Sequence, residues 1–276
     1  MKAPAAVVLV LLMPGAAFAQ SAGQPAPPRF ETPPPPEAGA GPPRAADAIW
    51  GEEAMRASRA ELFRHAGSQR YLWIMGDRLE HRTRSGADGY LWDAQGFYGG
   101  DIHKLFFKSE GEGGFGASIE QAELQLLYSR AVTRFFDVQA GLRGDFAEPE
   151  RVNVVIGLQG LAPYLFELDT AVFISHRGEV SARIEAELDQ RITQRLVLQP
   201  RAELNLAAQD SVTRRVGAGL DSAELGLRLR YHVRREVAPY IGVEQEWRTG
   251  RSARFARADG ENASVTQFVA GVRFWF

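Results

Sequence analysis

Residues 180–189 read Val180-Ser181-Ala182-Arg183-Ile184-Glu185-Ala186-Glu187-Leu188-Asp189, apolar and polar in unbroken alternation. A β-strand points successive side chains to opposite faces, so this stretch has one apolar face and one polar, mostly charged face. Three other stretches repeat the pattern. In 135–143, Phe136, Val138, Ala140 and Leu142 alternate with Asp137, Gln139, Gly141 and Arg143. In 198–206 Leu198, Pro200, Ala202, Leu204 and Leu206 alternate with Gln199, Arg201, Glu203 and Asn205, and in 223–231 Ala223, Leu225, Leu227, Leu229 and Tyr231 alternate with Glu224, Gly226, Arg228 and Arg230.

A soluble sandwich would alternate as well, so length and connections decide between the two. The segments run about ten residues, the length a tilted membrane-spanning strand needs. Twelve are legible: near 70–82, 88–98, 101–110, 118–129, 134–145, 151–160, 164–175, 180–190, 195–207, 221–232, 237–248 and 265–276. Short connections (Gly99-Gly100, Ala131 to Thr133, Leu161 to Pro163, Ile192 to Gln194, Val233 to Glu236) alternate with a set that contains the two longest, 208–220 and 249–264. Tight periplasmic turns and long external loops give that asymmetry. Tyr128, Phe135, Phe136, Tyr164, Phe166, Tyr231 and Tyr240 flank the short turns, where an aromatic girdle belongs. The chain ends Phe268, Ala270, Val272, Phe274, Phe276, alternating to a C-terminal Phe, an ending that resembles the insertion signal of outer-membrane barrels. The expected fold is therefore all-β: an antiparallel transmembrane barrel of about twelve strands over 67–276, in the cell outer membrane of a Gram-negative bacterium.

Ahead of the barrel, Lys2, the apolar run Ala5 to Met13 and Ala17-Phe18-Ala19 read as a signal peptide, 1–19. Residues 20–46 are rich in Pro, Ala and Gly and read as a disordered tether. Asp47 reads as an N-cap, and 47–66 as a short helix. No cysteine is present, which removes disulfides, thiolate metal sites and cysteine nucleophiles. Basic and acidic residues nearly balance, 32 against 34, and no basic block suggests nucleic acid. The presumed lumen face carries both signs: Arg143, Glu167, Asp169, Arg183, Glu185, Glu187, Arg201, Glu203, Glu224, Arg228, Arg230, Glu244, Glu246 and Arg273. That face is a structural ion-pair lattice, a polar cation pathway with Glu167, Glu185, Glu187, Glu203 and Glu244 as stepping stones, or both.

Several words of the sequence resemble the copper resistance protein B family: AADAIW (45–50), YLWDAQGFYGGDIHKLFFK (90–108), IEQAELQLLYSR (119–130), FDVQAGLR (136–143), GLQGLAPYLF (157–166), TQRLVLQPRAELNLAA (193–208), ELGLRLRY (224–231), APYIGV (238–243) and FVAGVRFWF (268–276). The resemblance covers roughly 45–276. It implies an outer-membrane protein that binds copper or moves it across the membrane, lowering periplasmic copper, usually beside a periplasmic multicopper oxidase. Copper ions and outer-membrane lipid are the implied ligands. Many members carry a Met- and His-rich segment after the signal, suited to soft Cu(I). This chain has neither residue between Gln20 and Ala46, so capture falls to Met55, Met75 and five histidines, 65, 81, 103, 176 and 232. Met75, Asp77 and His81 share a strand face by simple alternation. Met55 and His65 sit on the helix, and His232 ends a strand at the periplasmic mouth. Met55, His65, Met75, Asp77 and His232 are the candidate metal ligands.

No H-E-x-x-H, G-x-S-x-G, Walker or CxxC motif occurs. Gly111 to Gly116 lacks the Lys and helix of a phosphate cradle and reads as a loop. The reading is of a protein that is no enzyme. The alternative to copper handling is a structural or small-solute barrel without its own copper activity.

Overall fold

The computed structural model describes residues 45–66, 69–83, 88–147 and 150–276. The presumed signal 1–19 and the tether up to residue 44 lie outside the described residues. Two helices come first, α1 (Ala45–Trp50) and α2 (Glu52–Ala66). They are separated by Gly51, whose φ of 88° is left-handed and breaks the single helix expected there. Asp47 is therefore no N-cap: it lies inside α1 and pairs with Arg59 of α2.

The second unit is a barrel of twelve spanning strands: β1 (Tyr71–Thr83), β2 (Gly89–Gly99), β3 (His103–Gly114), β4 (Ile119–Ala131), β5 (Phe136–Asp145), β6 (Arg151–Ala162), β7 (Phe166–Ser175), β8 (Val180–Leu188), β9 (Leu196–Ala207), β10 (Gly219–Tyr231), β11 (Val237–Arg248) and β12 (Ser264–Trp275). A two-residue piece, Gln190–Arg191, continues the edge of β8 against β9. Every neighbour pairs antiparallel, and β12 pairs with β1 (Met75 opposite Trp275, Thr83 opposite Phe268), which closes the ring. Closure leaves no open edge, the condition for a sheet in hydrocarbon. Gly111 to Gly114, expected in a loop, belong to β3. A Cβ at Gly111 would stand 2.3 Å from the Trp92 ring, so that close approach needs glycine.

Burial runs opposite to a soluble protein. Leu142, Leu225, Leu227, Ile241 and Phe268 are exposed outside, while Gln139, Arg201, Arg228 and Arg230 are buried inside. The predicted phase holds on all four diagnostic stretches. One aromatic breaks the expected girdle: Tyr240 faces the lumen, 5% exposed, and its hydroxyl donates to Glu80 Oε1 at 3.0 Å. Tyr128, Phe135, Tyr164, Phe166 and Tyr231 are exposed beside the short turns as expected. The 249–264 loop holds a helix that went unpredicted, α3 (Gly250–Ala258).

Candidate functional site: the barrel lumen

The register sets a problem that the lumen must solve. Glu185 stands opposite Glu203, Glu203 opposite Glu224, and Glu224 opposite Glu246 on consecutive strands. Like charges directly opposite one another destabilise a sheet. Arginines offset from that row relieve part of the repulsion. Arg201 bridges Glu185 (2.6 Å), Glu203 and Glu224 (3.6 Å). Arg183 reaches across the lumen from β8 to Glu110 on β3 (2.8 Å) and Glu123 on β4 (3.2 Å). Arg228 holds Glu80 and Glu244, each at 2.7 Å, and Arg82 holds Glu244 at 2.9 Å. The predicted ion-pair lattice therefore exists, and it spans the interior.

The five predicted pathway carboxylates fall into two groups. Glu185, Glu203 and Glu244 are taken up by the lattice. Glu167 and Glu187 are register partners on β7 and β8 and form no ion pair among the described residues. Glu187 accepts from Gln199 Nε2 at 2.8 Å. Both line a cavity of about 350 Å³ together with Glu185, Asp77, Asp169 and the amides of Gln95, Gln139 and Gln159. Its apolar wall is Leu127, Val155 and Phe173, a buried cluster with Phe106. Arg143 and Arg183 lie 4.6 and 5.9 Å from the Phe173 ring, a cation–π arrangement that the alternation pattern alone did not reveal.

A second cavity, about 290 Å³, opens at the turn end. Met75 of β1 and His232, in the turn after β10, both line it, with Trp73, Trp275, Asp189, Arg230 and Arg273. Sequence spacing gave no reason to join these two residues; barrel closure does. His232 lies outside the spanning strands, where partial burial and the neighbouring Arg230 lower its pKa. Its imidazole is therefore neutral at pH 7 and keeps a nitrogen lone pair for a metal. The Met75 thioether is already engaged: Arg273 Nη2 donates to Sδ at 3.3 Å, and Arg273 Nε lies 2.9 Å from Asp77 Oδ1. Asp77 lines the larger cavity, so Arg273 joins the two.

His81 is not on the face of Met75 and Asp77. A bulge between Gly76 and Leu79 inserts a residue, so Arg78, Glu80 and Arg82 turn inward and His81 is exposed. Met55 and His65 both lie on α2, Met55 half-buried and His65 exposed. Ten residues of α-helix separate their positions by about 15 Å along its axis, too far for one ion. Among the described residues no three His, Asp or Glu side chains converge as a metal cluster.

The model of the copper resistance protein B precursor family matches residues 70–276, three quarters of the chain and the whole barrel. The chain belongs to the copper resistance protein B family. It is 40% identical over 213 residues to copper resistance protein B of Escherichia coli, covering 77% of this chain and 71% of that one. A homolog from Pseudomonas syringae pv. tomato is 37% identical over 227 residues, 80% of this chain and 77% of the other. Among solved structures a NanC porin is similar at TM-score 0.47 and 15% identity, over 74% of this chain and 99% of the porin. As a closed barrel with an apolar exterior in this family, the protein resides in the cell outer membrane.

Proposed function

We propose that this outer-membrane protein serves copper resistance by binding copper in its lumen and passing it across the membrane, which lowers periplasmic copper. One observation carries the reading: Met75 and His232 line the same cavity at the turn end. A thioether and a neutral imidazole are the ligand pair that suits Cu(I). Two of the arginines there are neutralised, Arg230 by Asp189 and Arg273 by Asp77, which removes part of the repulsion a cation would meet. Beyond Arg273 the larger cavity offers Asp77, Glu167 and Glu187 as oxygen donors. Met55 and His65, which are too far apart to share one ion, would act separately. The family resemblance supports a periplasmic multicopper oxidase as partner.

The second reading, a structural or small-solute barrel with no copper activity, is favoured by the lattice that crosses the lumen. Complementation of a copper-sensitive deletion strain separates the two. Wild type restores tolerance under the copper reading, while the Met75→Leu, His232→Gln double variant, inserted at equal level, does not. Equal rescue by both would remove the lumen site from the account.

A further inference from the structure

On β11 the lipid-facing side runs Ile241, Val243, Gln245, Trp247, and on β12 it runs Phe268, Thr266, Ser264 towards the external end. It is apolar as far as Val243 and Phe268 and then turns polar. Gln245 Nε2 donates to Ser264 Oγ at 3.0 Å, and Thr266 hydrogen-bonds Gln245. Polar pairs with an exposed Trp247 beside them mark the edge of the hydrocarbon. Helix α3 begins at Gly250, three residues beyond that tryptophan and past the polar rim.

The helix is fastened there. Its buried side is Ser252, Ala253 and Ala256. The Gly217 backbone N–H donates to Ser252 Oγ at 2.7 Å, and Thr249 N–H donates to the Asp221 carbonyl at 2.8 Å. Arg251 pairs with Asp210, and Arg215 with Asp259 at 2.8 Å. The sequence GRSARFARA contains three arginines and no acid. Arg251 and Arg215 are thus balanced, each 5.7 Å from the Phe255 ring. Arg254 and Arg257, one turn apart, are exposed and have no carboxylate partner among the described residues. Arg257 gains from the helix C-terminal dipole; Arg254, in mid-helix, has no such local reason.

We infer that Arg254 and Arg257 of α3 dock the phosphate groups of an outer-leaflet glycolipid against the external rim of β11 and β12. Guanidinium groups bind phosphate bidentately, and these two stand exposed on a helix whose backbone is fastened beside the polar rim of the barrel. The docking does not depend on copper.

The test is thermal melting of the full-length protein in detergent, titrated with bis-phosphorylated lipid A, with its dephosphorylated form and with inorganic phosphate. Wild type should melt several degrees higher with the phosphorylated lipid alone, and Arg254→Gln with Arg257→Gln should lose more than half of that shift. Arg254→Lys with Arg257→Lys should keep part of it. An equal shift in wild type and the Gln variant, or an equal response to the dephosphorylated lipid, would overturn the proposal. A full response to inorganic phosphate would also overturn it, because the site would then take a free ion. If the Gln variant melts early without lipid, retention of phosphorylated lipid A by native mass spectrometry gives the same comparison.

Discussion

Arg273 stands between Met75 and Asp77, its Nη2 3.3 Å from the Met75 sulfur and its Nε 2.9 Å from the Asp77 carboxylate. The guanidinium engages the thioether and the Asp77 carboxylate together, and a soft cation at Met75 would meet it there. Either the cation displaces it or it binds beside it against a like charge. Arg273→Gln removes that competition and keeps a polar side chain. The variant should bind Ag(I), a redox-stable stand-in for Cu(I), about tenfold tighter, or roughly 1.4 kcal/mol, by calorimetric titration. An unchanged affinity would mean that Met75 and Asp77 are not ligands.

Met75→Leu keeps the volume and loses the sulfur, so it should cost under about 1.5 kcal/mol of stability. Ag(I) affinity should nevertheless fall by about tenfold or more, and His232→Gln should do the same. A double variant that loses no more than either single one is the signature of a shared site. Additive losses in the titration would point to two separate ions.

Arg228 is 1% exposed and holds both Glu80 and Glu244. Removing one partner of a buried pair leaves charge without compensation. Arg228→Met should therefore lower the unfolding free energy by about 3–5 kcal/mol, read by urea titration in lipid vesicles. Glu167→Gln removes no ion pair among the described residues and should stay within about 0.5 kcal/mol, as surface changes do. Equal losses in the two variants would contradict the lattice.

Glu167 and Glu187 face one another outside the lattice and line the larger cavity. Replacing both with Gln should reduce the preference for cations, seen as a smaller reversal potential under a salt gradient in planar bilayers, with folding intact. A reversal potential equal to that of wild type would exclude them from the conduction path.

Most of the barrel was legible because its side-chain period is exactly two and its two solvents are opposite in character. Each of the twelve predicted strands lies within four residues of its observed bounds, since lipid outside and charge inside fix the phase residue by residue. His81 was misplaced because the bulge at Gly76 is a backbone event with no mark in the alternation. Tyr240 was misplaced for a different reason. It is in phase with Glu244 and Glu246, which pointed inward, but its closeness to a turn suggested the girdle. The pairing of Met75 with His232 and the reach of Arg183 to Glu110 and Glu123 come from ring closure, which brings together residues remote in sequence. Helix α3 hid in a segment whose nine residues are short for a periodic signal, though arginines at 251, 254 and 257 recur at a helical spacing of three.

The central claim is that copper passes through this lumen by way of Met75 and His232. Its most direct test is copper flux into liposomes carrying the refolded protein, with and without residues 20–66, against zinc as comparator. The account predicts copper-selective flux through the barrel in both forms, lost in the Met75→Leu, His232→Gln double variant. Flux no faster than for zinc, or flux untouched by the double substitution, would contradict it.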